Sequence, residues 1–198
     1  MVSPAFPGLF FAFAAMVLLL FASISPPAWD KTYFLSADVN GATTLFGVFG
    51  ECIVGQGCSS RSVGYDLVVG GANGLDISAR VLQNLTYTLI LHPIAGFIAL
   101  LALVFGLIGA GAASRVATIF MAIFAFFGLV VALVAFVIDM VLWNVVKNKI
   151  EDAGYDATLG NANWFTVGAV GALILCTCTS ICGSCGRFAT GRMAGEKY

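Results

Sequence analysis

Residues Val116 to Leu142 read VATIFMAIFAFFGLVVALVAFVIDMVL. This run carries one charged side chain, Asp139, and exceeds the roughly 20 apolar residues that cross a bilayer as a helix. Three other stretches have the same character: Phe6 to Ile24, Tyr87 to Gly111 and Asn163 to Cys182. The sequence therefore predicts spans at about 6–24, 87–111, 116–142 and 163–182 within one four-span domain covering 1–198. A cleaved signal peptide competes for the first stretch, but Met1 to Ala5 holds no Lys or Arg. Pro26-Pro27 also stands where a small-residue cleavage site would lie.

Composition agrees. Of 198 residues, 60% are apolar and 10% charged, against about 45–50% and about 25% in soluble domains. A water-soluble enzyme and a disordered chain are both excluded. A net charge of −1 offers no basic face, so no nucleic-acid partner is expected. His92 is the single histidine, which leaves no multi-histidine metal site. Neither a cofactor nor a small-molecule substrate is expected.

The connections differ in length. Only Ala112 to Arg115 separates the second and third spans, whereas residues 25–86 form a long loop and Trp143 to Ala162 a medium one. Four spans put both termini on one side. Arg115, Arg187, Arg192 and Lys197 lie on that side against one acid, Glu196, which favours cytoplasmic termini. Cys52 and Cys58 then fall outside, where a disulfide is permitted. Closing so short a loop would stabilise the fold by roughly 2 kcal/mol. Cys176, Cys178, Cys182 and Cys185 cluster at the inner end of the fourth span. A four-thiolate zinc site would place charged ligands in the bilayer, so palmitoylation of Cys182 and Cys185, or simple packing, is preferred and no metal is expected.

The long loop reads as a small extracellular β-module. Lys31 to Leu35, Thr43 to Gly50 and Ser62 to Val69 are candidate strands, with turns at Asn40-Gly41 and Gly55-Gln56-Gly57. Residues Asp76 to Leu85 place Ile77, Val81, Leu82 and Leu85 on one helical face, suited to the membrane surface. The sequon Asn84-Leu85-Thr86 lies too close to the second span for modification to be expected.

Several stretches together carry a resemblance: Phe46-Gly-Val-Phe-Gly-Glu-Cys52, Cys58, Gly64-Tyr-Asp-Leu67, Leu91-His-Pro-Ile94, Asp139-Met-Val-Leu-Trp-Asn144 and Gly160-Asn-Ala-Asn-Trp164. In this order they resemble the fungal PalI/Sur-type tetraspan family. Trp29 with the Phe-Gly-x-Phe and Cys…Cys run echoes the claudin signature. The resemblance implies an all-α, claudin-like membrane bundle in a fungal plasma membrane, and a non-enzymatic role. That role would be accessory subunit of a larger integral membrane protein, as in ambient-pH sensing, or organiser of eisosome-type domains. Partners would be membrane lipids, the larger protein or further copies of the chain. Contact would use Trp29, Phe46, Phe49 and Tyr65 of the outer module, and lipid-facing aromatics such as Phe124 and Phe127. The chain stops soon after Cys185, at Tyr198, so signalling through a long polar tail is not expected.

A small oligomeric channel or transporter component is the alternative. The scarcity of intramembrane polar groups and the lack of an internal repeat speak against it. A membrane enzyme would have to draw on His92, Asp139 and a nearby Ser or Cys, and no spacing supports that.

Small residues recur at a 3–4 spacing in two spans. The second has Ala95, Ala99, Ala102, Gly106, Gly109 and Ala113; the third has Ala122, Ala125, Gly128, Ala132 and Ala135. Such stripes let helices approach closely in lipid, with Gly106, Gly109, Gly128 and Ala132 as principal contacts. His92 precedes Ala95 by three and Asp139 follows Ala135 by four, so both belong to these stripes. A lone intramembrane carboxylate should seek a partner, and the two are expected to meet. The family resemblance extends this to a pH-responsive pair, because histidine titrates near neutrality. An ordinary structural contact, or Asp139 facing solvent near Asn144, is the plainer reading.

Overall fold

The computed structural model describes residues 6–65, 67, 80–112 and 114–184. Its helices are α1 (Phe6–Ser23), α2 (Arg80–Thr88), α3 (Leu91–Ala112), α4 (Arg115–Asp152) and α5 (Asn161–Ser184). Strands are β1 (Leu35–Val39), β2 (Ala42–Phe46), β3 (Glu51–Ile53), β4 (Gly57–Cys58) and β5 (Asp156–Leu159). Four helical segments are long and apolar enough to cross a membrane: Phe6–Ser23, Asn84–Gly111, Val116–Asp152 and Asn161–Ile181. The chain is a four-span membrane protein with a small antiparallel sheet.

Contacts divide the molecule into two compact units. The first takes in 1–18, 94–131 and 168–198. Its core is Ala12, Ala102, Leu103, Met121, Ala125 and Cys176. Phe105 stacks on Phe124 at 5.3 Å, and both are partly buried against this core. Close packing is measurable at the small residues. A Cβ on Gly106 would lie 2.9 Å from Met121 Sδ, and one on Gly109 would lie 3.0 Å from Thr118 Oγ1. At Gly128 the nearest atom, Ile98 Cγ2, would stand off at 3.4 Å, which is ordinary contact. Phe97, Phe126 and Phe127 are exposed, as lipid-facing side chains would be.

The second unit takes in 19–93 and 132–167 and contains the sheet, ordered β4-β3-β2-β1-β5 with every pairing antiparallel. Asn40 and Gly41, at φ 52° and 80°, make the two-residue turn between β1 and β2. Positive φ at both positions matches the strand twist, which is why Asn-Gly is favoured there. Leu35, Ala37 and Val39 alternate inward along β1. Cys52 and Cys58 face each other across β3 and β4 and form a disulfide.

Several readings of the sequence change here: the strand expected at Lys31 to Leu35 begins only at Leu35 and runs to Val39, because residues 31–34 bond instead to the start of α5. The module is not confined to the first long loop, because β5 comes from the α4–α5 connection and pairs with β1. Most of that connection, read as loop, is ordered: α4 continues to Asp152, with Trp143, Val146 and Ile150 extending the 3–4 spacing of Ala135, Asp139 and Leu142 into the core. At 38 residues the helix is roughly 57 Å long, well beyond a hydrocarbon core of roughly 30 Å. It ends where Gly154, at φ 84°, turns the chain and Tyr155 N–H donates to the Ile150 carbonyl at 3.2 Å. Finally, the described part of Ser62 to Val69 is not a strand. Gly64 sits at φ 70° and turns Tyr65 inward. The helical piece expected at 76–85 is described only from Arg80.

Phe46 and Tyr65, expected as contact surface, are internal. Phe46 is fully buried against Trp143, and Tyr65 donates its hydroxyl to the Gly47 carbonyl at 2.7 Å. Phe49 is partly buried against the same core, which leaves Trp29 exposed at the rim. β-prone aromatics serve equally well as surface anchors and as core, and for Phe46 the α4 extension supplies the partner, Trp143.

Burial pushes the Tyr65 phenol well above its ordinary value of 10.0, and the Glu51 carboxylate adds to this against the pull of the Gly47 hydrogen bond. The folded state thus holds the proton more tightly than the unfolded chain. The resulting stability is complete below about pH 10 and falls as pH rises further. Titration in detergent should leave one of the five tyrosines un-ionised until unfolding. Tyr65→Phe should lose about 1 kcal/mol below pH 10 and flatten the alkaline decline. A steep decline retained in Tyr65→Phe would assign it elsewhere.

Candidate functional site

The chain's histidine and its intramembrane carboxylate meet inside the sheet-containing unit. His92 is the second residue of α3, and Asp139 lies on the buried stripe of α4. His92 Nε2 stands 3.0 Å from Asp139 Oδ2, with the two residues 0% and 1% exposed. Asn144 takes no part, since its amide donates to the Met140 carbonyl at 2.7 Å.

Three helices and the segment before β1 build the surroundings. Thr166 on α5 puts its Oγ1 3.2 Å from His92 Nε2 and donates to the Ala162 carbonyl at 3.1 Å. The other ring nitrogen, Nδ1, lies 3.0 Å from the Leu89 carbonyl. Phe34 meets the imidazole edge-on at 5.2 Å and stacks on Trp143 at 5.8 Å. Trp143 follows Asp139 by four and shares its helix face.

Asparagines at the start of α5 hold Phe34 in place. Asn163 Nδ2 donates to the Phe34 carbonyl at 2.8 Å, and the Gly160 N–H donates to the same oxygen at 2.8 Å. Asn161 accepts from Tyr33 N–H at 3.2 Å and donates to the Lys31 carbonyl at 2.9 Å. The stretch Gly160 to Asn163 thus clamps the backbone of residues 31–34.

The polar inventory constrains what this site can do. Both ring nitrogens face acceptors: a carbonyl at Nδ1, and at Nε2 a carboxylate beside a hydroxyl whose proton is already given away. The Nε2 direction favours Thr166, so Asp139 holds an ion-pair distance without a hydrogen bond to either oxygen. Trp143 Nε1 and Asn163 Oδ1 also lack hydrogen-bond partners among the described residues. His, Asp and a hydroxyl have the makings of a nucleophilic triad, but such a triad needs the acid on one ring nitrogen and the nucleophile on the other. Here both share Nε2, and all three groups are sealed from solvent.

The other singled-out residues lie apart. Cys52–Cys58 closes the β3–β4 hairpin. Ala132 is buried on the α4 stripe. Cys176 is buried and Cys178 exposed, both as free thiols. The Cys182 side chain and Cys185, considered for palmitoylation, lie outside the described residues. Sequence reading missed Phe34, Trp143, Asn163 and Thr166. Helical spacing carried a signal for two of them: Trp143 four after Asp139, and Thr166 three after Asn163.

Breaking a buried ion pair by removing one partner strands a charge and costs about 3–5 kcal/mol, whereas replacing both with apolar groups is far milder. His92→Leu and Asp139→Leu should each depress detergent stability by that order. The double variant should recover most of the loss, as a double-mutant cycle would show. Strict additivity would contradict direct coupling.

The SUR7/PalI family profile matches residues 4–179. The pH-response regulator protein palI/prr-5 of Neurospora crassa is 31% identical over 150 residues, covering 72% of this chain and 21% of that protein. The pH-response regulator protein palI/RIM9 of Yarrowia lipolytica is 34% identical over 134 residues, covering 65% of this chain and 18% of that protein. The chain thus spans about a fifth of the length of these curated relatives. With the profile match running from the first span through the sheet and into the fourth span, this chain belongs to the SUR7/PalI family.

Proposed function

We propose that the chain is a non-catalytic accessory subunit that stabilises a larger integral membrane protein of the fungal plasma membrane, in the ambient-pH response. The observation that carries the reading is the site's construction. The chain's one histidine and its intramembrane acid are spent on joining three helices to the sheet, with no opening for a substrate. The pH-response names of the fungal relatives support the pathway. Basic residues at the short turn and C-terminus support cytoplasmic termini, and the disulfide supports an oxidising compartment for the sheet. The His92–Asp139 pair is then a structural register. Trp29, exposed at the rim, is the part of the expected contact surface that remains available to a partner.

Affinity purification in mild detergent tests the reading. A larger membrane protein should co-purify at fixed ratio, and Asp139→Leu should reduce its recovery along with the stability of the chain. Lipid-rich self-assemblies without such a partner would instead mark an organiser of membrane domains.

A further inference from the structure

On the rim of the sheet-containing unit lies an open groove of about 400 Å³. Its walls are apolar: Ile24 just past α1, Ala28, Phe49 and Val63. Its polar lining is Arg61 with Ser62, and Ser23, whose hydroxyl donates to the Leu19 carbonyl at 2.7 Å. The Ser62 N–H donates to the Phe49 carbonyl at 2.9 Å, which fixes the segment carrying Arg61 against the opposite wall. Ile24 and Val63 are each 38% exposed, so the apolar walls are accessible from outside.

Two features say what fits. First, the groove lies at a membrane boundary. It begins where the span Phe6–Ser23 ends, and Ala28 adjoins Trp29, whose ring packs 5.9 Å from Phe21. Exposed tryptophan at the end of a span marks the headgroup level. Second, Arg61 is exposed and has no ion-pair or hydrogen-bond partner among the described residues. A guanidinium fork matches two oxygens of a phosphate. On the membrane side of the groove, Leu20 and Ile24 present exposed apolar surface along the end of α1.

We propose that this groove binds one phospholipid from the leaflet on the sheet's side of the membrane. Arg61 holds the phosphate, while Ile24, Val63 and Leu20 take the upper part of an acyl chain. The charge sits where the phosphate layer lies and the apolar walls face the hydrocarbon. An amphipathic lipid satisfies both at once, and free phosphate satisfies only the first.

Native mass spectrometry of the full chain in detergent tests this with three probes: phosphatidate, diacylglycerol with the same acyl chains, and inorganic phosphate. One phosphatidate should stay bound, and diacylglycerol should bind about tenfold more weakly. Arg61→Gln should weaken phosphatidate binding about tenfold, the loss of a charged hydrogen-bonding group. Ala28→Trp should weaken it by filling the groove with the charge intact. Both positions are exposed, so thermal unfolding of the two variants should match the parent. Unchanged phosphatidate binding in both variants, equal retention of diacylglycerol, or displacement by equimolar inorganic phosphate would each overturn the proposal.

Discussion

A buried ion pair is the constraint around which the sheet-containing unit is arranged. Removing His92 and Asp139 from water carries a desolvation penalty of several kcal/mol per ion, and their attraction repays it only with good geometry and further hydrogen bonds. The structure meets those terms incompletely. Nε2 divides between Oδ2 at 3.0 Å and Thr166 at 3.2 Å, and neither carboxylate oxygen has a well-aligned hydrogen bond among the described residues. An apolar triplet of the same volume would be at least as stable. What the pair supplies is specificity. It permits one rotation of α3 and one of α4, since any other would leave an ionisable group facing hydrocarbon, and Thr166 on α5 meets the same ring nitrogen with its hydroxyl.

The sheet inherits that register. Phe34 stands directly before β1, edge-on to His92 and stacked on Trp143, so the strand starts from a point set by two helices. Gly160, Asn161 and Asn163 then fasten the backbone of residues 31–34 to the start of α5. β5 leads into that turn and pairs with β1. A strand from the far loop therefore completes a sheet begun in the near one, although more than a hundred residues separate Leu35 from Leu159. At the opposite edge, β4 is only two residues long and is tied to β3 by Cys52–Cys58, a short edge that offers little backbone to another chain.

Much of this was legible in the sequence because it is local. Apolar runs fixed four spans, Asn40-Gly41 fixed a hairpin turn, and the 3–4 spacing of small residues brought His92 and Asp139 to one face. Pairings formed across distance were not legible. Asp156 to Leu159 is four residues with little alternation, and only β1 makes it a strand. Ser62 to Tyr65 has the composition of a strand, but after the single backbone bond from Ser62 N–H to the Phe49 carbonyl the positive φ of Gly64 turns the chain away before a ladder forms. Phe46 looked like an anchor on a surface because nothing local reveals that α4 runs on to place Trp143 against it, and Tyr65 because its hydroxyl finds the Gly47 carbonyl only in the fold. Thr166 and Asn163 became polar partners only once α5 was set against α3 and α4.

The functional reading follows from the same economy of polar groups. The hydrogen bonds of His92, Thr166, Asn161 and Asn163 hold helices and sheet in register, which suits a subunit that presents a defined surface to a membrane partner and to lipid. The central claim is that the His92–Asp139 pair governs the sheet and the α5 clamp as one cooperative unit. Hydrogen exchange of the full chain in lipid nanodiscs, compared with Asp139→Ala, tests it most directly. The account predicts that amides of residues 33–46, 156–159 and 160–163 lose protection together while those of 98–128 keep theirs. Unaltered protection in the sheet, or an equal loss along every helix, would contradict it.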